Sequence, residues 1–150
     1  MLFRSHPRRE VAKQILNQFA YRAFRRPVEP SETASLLNLY DLAFQQSRSH
    51  ESAVRHALRA ILVSPYFLFR IEQDQTTQQA YSVNEYELAS RISYFLWAST
   101  PDDELLRLAG KRLLRDPKVL EAQVIRMLRS PKSQAFAESF ASQWLKVKDL

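Results

Sequence analysis

Four kinds of side chain in this 150-residue sequence could take part in chemistry or binding: imidazoles, a run of carboxylates, a set of aromatic rings and a set of arginines. The only imidazoles are His6, His50 and His56. His50 and His56 are six residues apart, which puts them on different faces of a helix, and neither has a carboxylate at metal-ligand spacing. They read as surface histidines. Asp102, Asp103 and Glu104 could offer oxygen ligands to a hard cation. Consecutive residues, however, point in different directions around a helix, and acids in a first turn complement its positive end, so the favoured reading is helix-dipole complementation. Tyr94, Phe95, Trp97, Phe140 and Trp144 could wall a ligand pocket. Rings at helical spacing read first as core, with Trp97 the exception because it stands at a corner. Arg22, Arg25 and Arg26, with Arg4, Arg8 and Arg9 before them, form the only feature suited to phosphate or nucleic acid.

Two candidate sites follow: a corner made by Trp97, Asp102 and Asp103, and a basic patch made by Arg22, Arg25 and Arg26. No residue is assigned a catalytic, cofactor-binding or metal-ligating role. The sequence holds no glycine-rich phosphate loop, no Gly-x-Ser-x-Gly and no His-Glu-x-x-His.

Composition limits the scaffold that positions these groups. With 45% hydrophobic residues the chain can bury a core. A single glycine leaves almost nothing for the positive-φ positions of hairpin turns, which argues against an all-β fold. The first 26 residues hold seven basic residues against Glu10, so the whole net charge of +6 falls there. Nucleic-acid binding by the domain as a whole is therefore disfavoured. Without cysteine there is no disulfide, no thiolate metal site and no haem attached through Cys-x-x-Cys-His in this chain. The longest apolar run, Ala60 to Phe69, is too short for a membrane span and contains Pro65. The N-terminus lacks the long apolar stretch of a signal peptide.

Hydrophobic periodicity predicts helices throughout. The first runs from about Pro7 to Phe24, with Val11, Ala12, Ile15, Leu16, Phe19, Ala20 and Ala23 inward, and stops at Arg25-Arg26-Pro27. A second opens at Glu29-Pro30-Ser31-Glu32 and buries Leu36, Leu37, Tyr40, Ala43 and Phe44. A third buries Ala53, Val54, Ala57, Leu58, Ile61 and Leu62 and ends or kinks at Ser64-Pro65. Tyr66 to Arg70 reads as helix or strand, with helix favoured. The polar stretch 73–80 reads as a linker. A central helix follows, started by a Ser82–Glu85 capping box and burying Leu88, Ala89, Ile92, Phe95 and Leu96. Three short helices then begin at Thr100-Pro101, Asp116-Pro117 and Ser130-Pro131, each pairing an N-capping side chain with a proline at the first helical position. Gly110 marks the end of the first of these. The second carries Leu120, Val124, Met127 and Leu128, and the third carries Phe136, Phe140 and Trp144. The fold class expected is all-α: an irregular bundle of about seven helices in two consecutive units. The expected domains are 1–72, a three-helix module, the linker 73–80, and a helical module 81–150 that is truncated at its C-terminus.

Phe19 to Pro27 and Ala60 to Arg70 resemble one module of large planctomycete-type, cytochrome-c-associated secreted proteins. Glu87 to Trp97, Pro101 to Leu106, Arg126 to Leu128 and Phe140 to Leu145 resemble a second, so the resemblance covers about residues 11–150. Both modules are domains of unknown function. The resemblance implies a non-catalytic helical scaffold inside a longer periplasmic or secreted protein, with neighbouring domains of the same chain as partners. It assigns haem c to those neighbours and no cofactor to this chain. Two alternatives stand beside it: part of an oxidoreductase active site completed by downstream sequence, and anion or nucleic-acid binding through the basic N-terminal segment.

Overall fold

A computed structural model describes residues 7–72 and 81–141. The expected linker 73–80 lies outside the described residues, as do Arg4, His6 and Trp144. The described residues are all-helical, with eight α-helical segments and no strand. The chain divides into two compact units, Met1–Ile71 and Glu72–Leu150.

The first unit contains α1 (Pro7–Phe24), α2 (Pro30–Ser47), α3 (His50–Leu62) and α4 (Pro65–Leu68). Residue types dictate each boundary. Glu32 reaches back to the Glu29 N–H at 2.8 Å and secures the start of α2. Arg48, at φ 54°, turns the chain in the left-handed region, and the Ser49 hydroxyl then accepts the Ser52 N–H to start α3. Pro65 ends α3 and begins α4, whose Ser64 cap accepts the Tyr66 N–H. The core consists of Ala12, Leu16, Ala20 and Ala23 of α1 against Leu36, Leu37 and Tyr40 of α2 and Ala53, Val54, Ala57 and Ile61 of α3. Its five alanines leave little side chain between the axes, so the helices can approach closely.

The predicted inward faces are too wide. Val11, Ile15, Phe19 and Leu62 are exposed, because the buried arc of α1 is occupied by alanines and Leu16 and the larger residues stand at its edge. The stretch Tyr66 to Arg70 begins as helix, yet Tyr66, Leu68 and Phe69 face solvent rather than a core.

The second unit contains α5 (Glu85–Trp97), α6 (Asp103–Gly110), α7 (Pro117–Leu128), a 3-10 turn (Pro131–Ser133), α8 (Gln134–Phe136) and a π-helical turn (Ala137–Ala141). Ala89, Leu96, Trp97, Leu105, Leu108, Ala109, Leu114 and Met127 form its core. Three expectations are corrected here. First, α5 is capped by Asn84 and not Ser82: Asn84 Oδ1 accepts the Glu87 N–H at 2.9 Å, and Glu87 accepts the Asn84 N–H at 2.8 Å. Second, α6 is capped by Asp102 and not Thr100, with Pro101 buried ahead of the helix instead of sitting at its first position. Third, Phe95 is 59% exposed. The buried arc of α5 runs through Ala89, Ser93, Leu96 and Trp97, and Phe95 lies about 120° from Ala89 around the helix at 100° per residue. The polar Ser93 sits in the middle of that arc, its hydroxyl without a hydrogen-bond partner, and Leu88 and Ile92 lie at its edge. Leu128 and Phe140 are likewise exposed. Asp116-Pro117 and Ser130-Pro131 start helices as expected.

Gly110 does end α6, for a reason other than a left-handed turn. A Cβ there would stand 3.1 Å from the Tyr86 hydroxyl oxygen, while positive φ falls on Arg112. With so few glycines, Arg25, Arg48, Ala98 and Arg112 take the left-handed positions, at roughly 1–2 kcal/mol each.

Candidate functional site

The predicted basic patch is divided by the backbone. Arg22 lies in the last turn of α1 and is exposed. Arg25, one residue past the helix, sits at φ 59°, which turns its side chain inward, and it is only 5% exposed. Its guanidinium donates to the carbonyls of Tyr66 and Phe69, both at 2.8 Å, to Ala23 at 3.1 Å and to Phe67 at 3.5 Å. A four-residue helix cannot satisfy its own last carbonyls, and α4 obtains its donors from Arg25. The charge also complements the negative ends of α1 and α4.

Arg26 turns the other way. It forms a fork with Glu32, at 2.7 and 3.0 Å, and lies over the Tyr66 ring at 4.5 Å and the Phe24 ring at 5.7 Å. The hydrogen bonds from Arg26 hold the Glu32 carboxyl below the usual range, outweighing the opposing effect of burial. The same bonds push Arg26 up. A cleft of about 240 Å³ opens beside this group, with a floor of Phe24, Leu36 and Ile61 and with Glu32, Ser35 and Tyr66 at its rim.

In the second unit the structure brings Trp97 and Asp102 together through a residue that site reasoning missed, Arg126. Trp97 is buried, and its indole N–H donates to the Met127 carbonyl at 2.9 Å. Arg126 forks onto Asp102 at 2.7 and 3.2 Å and lies 5.6 Å from the Trp97 ring, while Lys132 stands 4.9 Å from it. Asp102 Oδ1 also accepts the Leu105 N–H at 2.9 Å. Burial opposes ionisation of Asp102, but Arg126, Leu105 and Lys132 together keep its carboxyl below the ordinary value. Asp103 is exposed in the first turn of α6 and does not join this group. Glu104 pairs with Arg107 at 2.7 Å. In the sequence Arg126 is marked by its place in the last turn of α7 and by the Arg126 to Leu128 stretch of the resemblance, neither of which points to Asp102.

Phe95, Phe136 and Phe140 form a cluster of their own: Phe95 meets Phe136 edge-on at 5.1 Å, and Phe136 stacks on Phe140 at 5.1 Å. His50 shares a hydrogen bond of 2.9 Å with the Tyr40 hydroxyl. Among the described residues no group of three or more histidines, cysteines or carboxylates is placed to hold a metal ion, and no helix is long and apolar enough to cross a membrane. What the arrangement does chemically is electrostatic: cations and carboxylates hold helix ends in register.

Residues 11–72 match the family described as Protein of unknown function (DUF1595), and residues 83–150 match the one described as Protein of unknown function (DUF1592). The chain carries two adjacent domains of unknown function. No curated protein and no solved structure matches it.

Proposed function

We propose that this chain is a non-catalytic helical scaffold within a larger extracytoplasmic protein, holding neighbouring domains, c-type haem domains among them, in fixed relation. One observation carries the reading: the strongest polar groups of the two candidate sites bind helix ends of their own unit. Arg25 holds the carbonyls of α4, and Arg126 holds the Asp102 cap of α6. Such groups stiffen each module, which is what a spacer between domains requires. The resemblance to cytochrome-c-associated proteins supports the identity of the neighbours and a periplasmic or secreted location. It does so by association alone, since fold does not imply function.

The test uses a chain extended by its downstream sequence, assayed for oxidation of candidate sugars, with Asp102→Ala and Asp103→Ala variants checked for folding by circular dichroism. The scaffold reading expects turnover, if any is found, to survive both substitutions. Loss of turnover in a folded variant would instead place the corner in an oxidoreductase site.

A further inference from the structure

A groove of about 530 Å³ lies between α1 and α2, and none of its lining residues belongs to the two candidate sites. Arg9, Lys13 and Asn17 follow at intervals of four along one wall, a row of about 12 Å. Two contacts fix the register of the opposite wall: Arg9 reaches Asp41 at 3.1 Å, and Asn17 meets Thr33 at 2.8 Å. Asn38 of α2 therefore stands near the level of Lys13. Leu37, 5% exposed, forms the floor, with Val28 toward the Asn17 end. Much of the hydrogen-bonding capacity along the groove is uncommitted. Arg9 uses Nε and Nη2 on Asp41, and its Nη1 keeps two protons. Lys13 lies 3.9 Å from Glu10, beyond hydrogen-bond distance, in an exposed pair of the kind that holds weakly. Asn17 accepts the Thr33 hydroxyl through Oδ1, which leaves both N–H donors of Nδ2. Asn38 is exposed, and among the described residues its amide has no partner. The carboxylates of Asp41 and Glu10 do not line the groove. Its walls thus present a surplus of N–H donors above an apolar floor.

We propose that this groove binds the C-terminal end of an extended peptide, with the terminal carboxylate at Lys13 and Arg9. Uncommitted donors select a ligand rich in acceptors. The Asn38 amide offers an N–H and a C=O side by side, the complement of one peptide unit. Only an extended chain has those groups open, because a helix has already paired its own. The Asn17 N–H donors suit a further main-chain carbonyl, and Leu37 and Val28 suit an apolar side chain. A row of about 12 Å holds roughly four extended residues. Capture of a terminal carboxylate is a recurrent recognition mode, strengthened when the donor is charged. A nucleic acid is the weaker fit, because both cations already have a carboxylate beside them and the remaining donors are neutral amides, which release no counterions. The inference goes beyond the scaffold reading and does not rest on it.

The experiment titrates the full chain at low salt, by fluorescence anisotropy, with two peptides labelled at the N-terminus. Both have the sequence Gly-Ser-Ala-Val-Leu, one ending in a free carboxylate and the other in an amide. The free acid is expected to bind about tenfold tighter than the amide. Lys13→Met, which keeps the apolar stem, should bring the free acid down to the level of the amide. Asn38→Ala, at an exposed position, should weaken both peptides by about three- to tenfold and preserve the preference. Circular dichroism checks that both variants fold. Equal binding of the two peptides, or affinity unchanged in either variant, overturns the proposal. So does the absence of binding by about 1 mM peptide, or a single-stranded oligonucleotide that binds more tightly than the free acid.

Discussion

Replacing Arg25 separates two contributions that oppose each other at one residue. In the native chain it occupies a left-handed position that glycine adopts without penalty and that costs any other residue roughly 1–2 kcal/mol. Against this stand its bonds to the Tyr66 and Phe69 carbonyls, both 2.8 Å. Hydrogen bonds from a charged donor contribute about 1.5–3 kcal/mol each. Because α4 is itself exposed, carbonyls released from Arg25 reach water, and the loss falls toward the lower end of the pair's sum. Arg25→Ala should therefore cost about 3 kcal/mol. Arg25→Gly removes the backbone penalty as well and should cost about 2 kcal/mol. Arg25→Lys keeps the charge but cannot span two carbonyls with a planar fork, and should fall between wild type and Arg25→Ala. Both tryptophans lie beyond residue 72, so indole fluorescence does not report on this unit. Urea unfolding followed by far-ultraviolet circular dichroism, with hydrogen exchange at the Phe69 amide bonded to Pro65, is the suitable assay. An Arg25→Gly variant as stable as wild type, with Phe69 protection unchanged, would refute the reasoning: the carbonyl bonds would then contribute no more than the backbone penalty costs.

Three further outcomes are expected. Asp102→Ala removes the α6 cap, worth about 1 kcal/mol, and a part-exposed ion pair worth up to about 1 kcal/mol, whereas Thr100→Ala should stay within about 0.5 kcal/mol; urea midpoints at neutral pH rank them. Asp102 and Glu32 are held below their ordinary pKa values, so the native state binds fewer protons than the unfolded state. Their contribution is fully present above the ordinary carboxylate range near pH 4 and is lost as pH falls through the native values. The stability difference between wild type and Asp102→Asn should accordingly shrink from neutral pH to about pH 2–3. Phe95→Ala should cost about 1 kcal/mol, the scale of edge-to-face aromatic pairs, and not the roughly 3–5 kcal/mol of a core phenylalanine; a thermal melt with a large loss would return Phe95 to the core.

The candidate sites were legible in the sequence as residue types and illegible as arrangements. Arg22, Arg25 and Arg26 fall within five residues of sequence, yet Arg25, in the left-handed region just past α1, turns inward while Arg22, still in the helix, stays exposed. Thr100 and Asp102 are both good caps by type. Asp102 starts the helix, and its second oxygen takes a bond from Arg126, 24 residues away, a pairing that no local pattern announces.

By itself the sequence determined the all-α class, the limits of α1 and the proline-marked starts at Asp116 and Ser130. These rest on local causes: the 3.6-residue period, side chains that accept a first-turn N–H, and the scarcity of glycine. Only the tertiary structure decided which part of each apolar face is buried. Periodicity defines a stripe but not its centre, and neighbouring helices select an arc according to how closely their axes approach. The alanines of α1 and Ser93 of α5 therefore lie at the contacts, while Val11, Ile15, Phe19 and Phe95, larger and more apolar, are left at the surface.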